Sequence, residues 1–150
     1  MSNITTSEFN SWLEQFINFE RWPQKAILNL KTMALYAKYF ENPQNAYKSI
    51  HVAGSKGKGS TSIMLSSILS EVGFKCGLYT SPHVDDFRER ITKSGTFFSD
   101  EAYSKGYQKI MSGMEELLKT DSTLDPTWFE LVTLLAFLIF KDENCNWAVF

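Results

Sequence analysis

The 150-residue sequence has little of what marks several common classes of protein. It contains two cysteines, Cys76 and Cys145, which form neither a CxxC pair nor a Cys/His cluster with zinc spacing. We therefore interpret both as buried apolar residues in a reducing compartment. A basic excess is also missing, because the net charge is −2 and the pI is about 5.7. This charge balance excludes nucleic acid as a partner and favours a small anionic ligand.

Long hydrophobic stretches are absent as well. The longest apolar run, residues 131–140, lies between Glu130 and Lys141 and is too short to cross a bilayer. The polar first ten residues lack the apolar core of a signal peptide. Hydrophobic residues make up 43% of the sequence and charged residues 21%, which is typical of a folded domain. We predict a cytoplasmic protein with no membrane partner.

Apolar spacing and turn residues predict an alternation of helices and strands. Helices are predicted at residues 7–20, 29–40, 60–72, 99–119 and 125–141, with Ser7 and Ser99 as N-caps of the first and fourth. Strands are predicted at residues 49–53, 75–80 and 147–150, and a hairpin at residues 89–99. The third helix is predicted to be amphipathic, with the apolar residues Ile63, Met64, Ile68 and Leu69. Residues 49–80 thus read as a βαβ unit with a right-handed crossover.

A glycine-rich loop follows the first predicted strand and consists of Gly54, Ser55, Lys56, Gly57, Lys58, Gly59, Ser60 and Thr61. Glycine permits φ angles that turn successive N–H groups inward, and its missing Cβ lets phosphate oxygens approach. The helix behind the loop offers free N–H groups and the positive end of its dipole. Lys58 supplies a full charge, and Ser60 or Thr61 a hydroxyl for phosphate or Mg²⁺. The spacing departs from GxxxxGK[ST], but the strand before it and the helix after it favour a site for ATP phosphates over a flexible surface loop.

Two segments together resemble the folylpolyglutamate synthase and dihydrofolate synthase family, a branch of the Mur ligases. They are HVAGSKGKGST at residues 51–61 and GLYTSPHVDDFRERI at residues 77–91, and TWFE at residues 127–130 extends the resemblance. The loop differs from the family's commonest form, GTNGKGS, at Ser55 and Lys56. The resemblance implies an α/β fold: a three-layer P-loop mononucleotide-binding domain with a mainly parallel sheet, truncated at its C-terminal end.

The resemblance also implies a domain organisation. We expect an N-terminal helical segment, residues 1–48, packed on an incomplete ATP-binding Mur-ligase-like domain, residues 49–150. The chain stops inside an apolar run, as a fragment of a longer protein would. In the family, a glycine-rich segment whose Glu is a Mg²⁺ ligand follows the strand that matches residues 147–150. We therefore expect that the 150 residues alone do not turn over.

For the full-length protein, the resemblance implies a monomeric ATP-dependent ligase that adds L-glutamate to folate or dihydropteroate. ATP phosphorylates a carboxylate, the amine of glutamate attacks the acyl phosphate, and phosphate leaves. ATP and Mg²⁺ are the implied cofactors. Lys58, as the catalytic residue, and Mg²⁺ would neutralise the charge that develops on the transferred phosphoryl group.

Further site residues follow from the same resemblance. Ser81 matches the family's Mg²⁺-ligand serine, with Ser60 as a second metal ligand, although a turn-initiating Ser-Pro is an alternative reading of Ser81. His83 is either a pterin contact or a solvated loop histidine. The family's pterin-contacting segment is matched by Thr127, Trp128, Phe129 and Glu130, which would also suit a capping box with both rings in the core.

Other interpretations remain open. Residues 85–90 carry mixed charges, which at this density form a solvated ion-pair network more often than a catalytic cluster. A stand-alone nucleotide-binding module is one alternative function. Another is a different Mur-type ATP-dependent amide ligase, acting on a cell-wall peptide precursor. The pairing of GKGS with TSPH favours folate over that precursor.

Overall fold

The computed structural model of the chain describes residues 3–18 and 30–150. Its α-helices are α1 (Thr6–Leu13), α2 (Leu30–Tyr39), α3 (Lys58–Glu71), α4 (Asp100–Thr120) and α5 (Trp128–Asp142). Its strands are β1 (Lys48–Ile50), β2 (Cys76–Tyr79), β3 (Ile91–Lys93) and β4 (Trp147–Val149). Two short 3₁₀ helices cover Pro43–Asn45 and Phe87–Arg90. None of these helices combines the length and apolar character that a bilayer crossing requires.

The strands form one sheet in the order β1-β4-β2-β3. Strands β1 and β2 both run parallel to β4, which lies between them, and β3 is antiparallel to β2. The predicted α/β fold with a mainly parallel sheet is therefore confirmed. Because β1, β4 and β2 point the same way, their carboxyl ends meet at one edge of the sheet, where open α/β sheets bind ligands.

Helices cover both faces of the sheet, which confirms the three-layer arrangement. On one face, α3 packs through Leu65 and Leu69 against Cys76, Leu78 and Val149. On the other face, α5 and α4 build the larger core. The apolar run predicted as a helix is the centre of that core, since most of its side chains from Leu131 to Phe140 are buried. A helix apolar on nearly all sides requires such cover from several elements.

Helix α3 lies where it was predicted. However, most of the apolar side chains that the sequence pattern would bury are exposed. Ser62 and Ser66 are buried, whereas Ile63, Met64 and Ile68 are 52%, 65% and 61% exposed. The small serines let the helix backbone approach the sheet closely: the carbonyl of Ser66 accepts a hydrogen bond of 3.0 Å from Ser94 Oγ. A close approach of the backbone thus decides the buried side, and three of the four predicted apolar residues are left outside.

We expect Ile68→Ala to change the free energy of unfolding by no more than about 0.5 kcal/mol, because the side chain is already in water. The neighbouring Leu69→Ala removes a side chain that packs on the sheet and should cost about 2 kcal/mol. Urea unfolding of the two variants measures both values. Equal costs would show that Ile68 is packed and that α3 turns a different side to the sheet.

Two predictions near the N-terminus were wrong in their details. The first helix begins at Thr6 with Thr5 as N-cap, not Ser7, because Thr5 and Glu8 form a reciprocal capping box. It ends at Leu13 rather than at residue 20, and residues 19–29 lie outside the described ranges. Phe9 nevertheless anchors α1 on the core by stacking on Tyr107, with ring centroids 4.3 Å apart.

The predicted hairpin at residues 89–99 was also wrong. The turn at residues 93–96 is present, but β3 pairs with β2 and not with a following strand. After Thr96 the chain leaves the sheet, because Phe98 is buried and Ser99 caps α4 by accepting a hydrogen bond from the Ala102 N–H. That N-cap and the strand at the end of the chain are confirmed.

Candidate functional site

A cavity of about 660 Å³ lies at the carboxyl edge of the parallel strands. Each parallel strand contributes the residues that follow it, and the loop before α3 and one side of α5 complete the wall. The lining comprises Gln44, Asn45, Ser49, His51, Val52, Ala53, Gly54, Lys58, Gly59, Ser62, Tyr79, Thr80, Ser81, Phe129, Thr133, Phe137 and Phe150. The predicted phosphate loop and Ser81 are therefore brought together at one cavity.

The loop at residues 54–61 presents its backbone to solvent. Gly57, the N-cap of α3, has φ = 76°, a left-handed conformation that suits glycine, and no side chain caps the helix. The N–H groups of Lys58, Gly59 and Ser60 meet no acceptor in residues 3–18 and 30–150. A Cβ built on Gly57 or Gly59 would meet nothing within 4 Å, so the space in front of the loop is open. Free donors at the positive end of a helix, with no acidic residue in the first turn, suit an anion.

Lys58 folds back over this loop. Its Nζ donates a hydrogen bond of 2.6 Å to the carbonyl oxygen of Gly54, which holds the ammonium group across the loop rather than out in solvent. The contact needs only one of the three Nζ donors, and the others remain for an anion. The loop therefore has the fixed positive charge that the sequence predicted at this position.

The residues around the cavity suit a polyphosphate, but they provide only part of a Mg²⁺ site. Within the described chain, the residues that line the cavity include no aspartate or glutamate, and no group of three metal-binding side chains occurs. Ser81 lines the cavity and Ser60 lies in the first turn of α3. Hydroxyl groups suit a Mg²⁺ ion that is held mainly by phosphates and water, so Ser60 and Ser81 would be minor ligands.

The charged segment after Ser81 is an ordered network, as predicted. Glu89 accepts hydrogen bonds from the N–H groups of Val84, Asp85 and Asp86 at 2.8, 3.2 and 3.0 Å. Arg88 pairs with Asp86 at 2.7 Å. The N–H bonds from Val84 and Asp86 lower the pKa of Glu89 below its usual value. Glu89 thus ties down the loop that carries Ser81, and the structure gives it no contact with the cavity.

We expect Glu89→Gln to loosen this loop and to lower the midpoint of thermal unfolding at pH 7. Since folding lowers the pKa of Glu89, its stabilising effect is present above the unfolded pKa of about 4.5 and is lost as pH falls through the lower folded value. The wild type should therefore lose stability between about pH 5 and pH 3 more steeply than the variant. Thermal scans across this range test the difference, with exposed Glu71→Gln as the matched control. Identical acid profiles of wild type and Glu89→Gln would contradict this role.

His83 and the segment at residues 127–130 occupy different surroundings. Arg90 Nε donates a hydrogen bond of 2.7 Å to His83 Nδ1, so His83 is held within the fold and is not a free loop histidine. Trp128 is 8% exposed and packs in the core, whereas Phe129 is 42% exposed and lines the cavity. The aromatic pair is thus divided between core and cavity.

The predicted capping box at the start of α5 is confirmed. Thr127 Oγ1 accepts from the Glu130 N–H at 3.2 Å, and Glu130 Oε2 accepts from the Thr127 N–H at 2.9 Å. The suggestion that Thr127 and Glu130 also contact a pterin stays a prediction. The cap fixes the first turn of α5 and with it the position of Phe129.

Sequence reasoning missed several residues of the cavity wall. Thr133 and Phe137 follow the predicted Phe129 at intervals of four, and this stripe on α5 was a readable signal once α5 was predicted. Tyr79, whose hydroxyl lies 3.1 Å from Thr133 Oγ1, had no such signal, because it reads as an ordinary strand residue. Gln44 and Asn45 lie in the 3₁₀ helix Pro43–Asn45, in a stretch where neither a helix nor a strand was predicted.

Comparison with models of protein families gives no match. Individual proteins do match. The chain is 32% identical over 139 residues to the mitochondrial folylpolyglutamate synthase of Cricetulus griseus, covering 93% of this chain and 24% of that protein. It is 36% identical over 122 residues to the dihydrofolate synthetase of Saccharomyces cerevisiae, covering 81% and 27%.

Solved structures of this family also match. A structure described as an FPGS–AMPPCP–folate complex, where FPGS denotes folylpolyglutamate synthase, superposes with a TM-score of 0.87. Its sequence identity is 26%, and the match covers 98% of this chain and 35% of the other. The chain therefore spans between a quarter and about a third of the proteins it matches. Over that span, the chain is a homologue of the folylpolyglutamate synthase and dihydrofolate synthase family.

Proposed function

We propose that the full-length protein containing this chain is an ATP-dependent ligase that adds L-glutamate to folate or dihydropteroate through an acyl phosphate. The observation that carries the proposal is the open loop at residues 54–61, which faces an aromatic-walled cavity with free N–H groups and Lys58. Its support is the superposition on a complex that names both AMPPCP, an ATP analogue, and folate.

In this proposal the loop binds and orients the phosphates of ATP. The N–H groups of Lys58, Gly59 and Ser60 would donate hydrogen bonds to phosphate oxygens, and the backbone of Gly54 to Gly57 would let these oxygens approach. Lys58 would direct the Nζ donors that the Gly54 carbonyl leaves free to the phosphates and neutralise charge on the transferred phosphoryl group. Mg²⁺, when bound beside Ser60 and Ser81, supplies further positive charge at the phosphates. Phosphorylation is needed because a free carboxylate is a poor electrophile.

The apolar part of the cavity would hold the flat substrate. Phe129 presents an exposed ring there, and Phe137 and Phe150 line the same wall. Aromatic walls with a few polar groups are typical of sites for planar heterocycles. We assign His83, Thr127, Trp128 and Glu130 to the surroundings of this subsite. Trp128 and His83 would support the cavity wall from behind, and Thr127 and Glu130 would fix the first turn of α5.

We further propose that the protein is a cytoplasmic monomer in which residues 49–150 belong to the ATP-binding domain and residues 1–48 form a helical segment packed on it. Burial raises the pKa of the Cys76 thiol to about 11 and that of Cys145 to about 12. Both thiols therefore stay protonated near neutral pH, which suits a reducing compartment. Cell fractionation tests the compartment directly, since the matched relative from Cricetulus griseus is named mitochondrial.

Titration of the full-length protein tests the ligand assignment. We expect AMPPCP to bind and then to permit binding of folate or dihydropteroate, but not of a cell-wall peptide precursor. Binding of the precursor alone would indicate a different amide ligase, and binding of AMPPCP with neither would indicate a stand-alone nucleotide-binding module.

A turnover assay on the 150-residue chain tests a separate expectation. Within the described residues, the cavity lining includes no aspartate or glutamate side chain that could complete a Mg²⁺ site. We therefore expect nucleotide binding without glutamate ligation from the isolated chain. Measurable ligation by the purified chain would contradict this expectation.

A further inference from the structure

Arg90 is a buried cation to which the proposed reaction gives no role. It is the last residue of the 3₁₀ helix Phe87–Arg90 and is 2% exposed. Its backbone carbonyl accepts a hydrogen bond of 3.0 Å from the Thr80 N–H, which fixes its main chain beside the end of β2. Removing a guanidinium group from water is costly unless specific contacts compensate. The contacts of Arg90 must therefore compensate for this cost.

The guanidinium lies between two segments that are far apart in sequence. On one side, Nε donates the 2.7 Å hydrogen bond to His83 Nδ1, in the loop that begins with Ser81. On the other side, the guanidinium carbon lies 4.7 Å from the centre of the Trp128 ring, at the start of α5. Arg90 thus contacts the residue two positions after Ser81 and the residue directly before Phe129.

Only arginine suits both contacts at once. A guanidinium is planar, so it can stack its face on an indole ring and still donate an N–H bond within its own plane. An ammonium group is a point charge without a face or a fixed donor direction. Phe87 closes the arrangement, because its ring packs edge-on against both His83 and Trp128 with centroids 6.1 Å away in each case.

We propose that Arg90 is a positioning residue that sets the 81–90 loop and the first turn of α5 at a fixed separation. Ser81 and Phe129, the cavity residues that these two segments carry, then face the same cavity without reorganisation. This inference rests on the proposed function, since the ligand concerned is the folate or dihydropteroate that Phe129 would contact. The phosphate loop is not part of this bridge and Ser81 would be only a minor Mg²⁺ ligand, so loss of the bridge should raise the KM for the folate substrate more than the KM for ATP.

Steady-state kinetics of Arg90→Lys in the full-length protein test the inference. We expect the KM for folate or dihydropteroate to rise by about tenfold or more, while the KM for ATP stays within about twofold. Arg88→Lys is the matched control: the same change, two residues away, at a side chain that pairs with Asp86 and Asp100 instead. It should leave the KM for the folate substrate within about twofold of wild type.

A second pair of variants covers the case in which Arg90→Lys does not fold. Trp128→Phe keeps an aromatic face under the guanidinium and Trp128→Leu removes it, so the leucine variant should show the larger rise in the KM for the folate substrate. The inference is overturned by an unchanged KM for folate in Arg90→Lys, by equal rises for both substrates, or by equal values in the two Trp128 variants. A wild type without glutamate ligation would instead refute the proposed function.

Discussion

Replacing Lys58 by alanine is expected to lower kcat/KM for ATP-dependent glutamate ligation by about 10²- to 10³-fold, the range observed when a single group that stabilises transition-state charge is removed. In the structure, the ammonium group already lies across the phosphate loop, 2.6 Å from the Gly54 carbonyl oxygen. Alanine leaves the N–H groups of the loop in place but removes the charge. Acyl phosphate formation by the full-length protein, followed as ADP release, measures the effect.

Lys56→Ala is the control for this experiment. Lys56 is an exposed lysine of the same loop, two residues earlier, and it precedes the first turn of α3. An exposed charge near the phosphates acts mainly through screened long-range attraction, so we expect a change of only a few fold that shrinks at high salt. Equal losses in the two variants would show that the general charge of the loop matters and that Lys58 has no special role. Full activity of Lys58→Ala would show that Lys58 does not stabilise the transition state.

Phe140→Ala should have the largest effect on stability, about 3–5 kcal/mol. The ring is fully buried and packs edge-on against Phe150 and Tyr47, with centroids 5.8 and 6.0 Å away. It also fills the space above Gly77, where an added Cβ would lie 2.5 Å from the ring. Alanine would leave a cavity between α5 and the sheet, which adds to the cost of the lost burial of the ring. Urea unfolding of the wild type and of Phe140→Ala measures the loss in the free energy of unfolding.

Phe129→Ala tests the contribution of the site separately from that of the core. Phe129 lies on the same helix but is 42% exposed and lines the cavity. We expect a loss of at most about 1 kcal/mol in stability, together with weaker binding of folate. A cost below about 1 kcal/mol for Phe140→Ala would contradict the tight packing between α5 and the sheet. A Phe129→Ala protein that binds folate normally would remove that ring from the proposed subsite.

Much of the fold was predictable because local signals agreed with one another. The glycine loop between a strand and a helix, the Ser99 N-cap and the Thr127–Glu130 capping box all depend on neighbours in sequence. The Thr5–Glu8 box also depends on neighbours in sequence, and the prediction of Ser7 as the N-cap missed it. The site loop and the βαβ unit therefore followed from short-range patterns, and the mainly parallel sheet was implied by the family resemblance.

The rest depends on contacts between distant segments. The buried side of α3 is set by how closely Ser62 and Ser66 let it approach the sheet, and an apolar count cannot show this. The partner of β3 is decided by the free edge of β2. Likewise, the division of Trp128 and Phe129 between core and cavity involves the contact of Trp128 with Arg90, a residue far away in sequence that no local pattern links to α5.

The most direct test of the central claim is the stoichiometry of glutamate ligation by the full-length protein. The purified protein is incubated with ATP, Mg²⁺, labelled L-glutamate and either folate or dihydropteroate. We expect one ADP and one phosphate for each amide bond formed, and no phosphate release when the pterin substrate is omitted. ATP binding with no glutamate transferred to either substrate would contradict the assignment as a folate ligase.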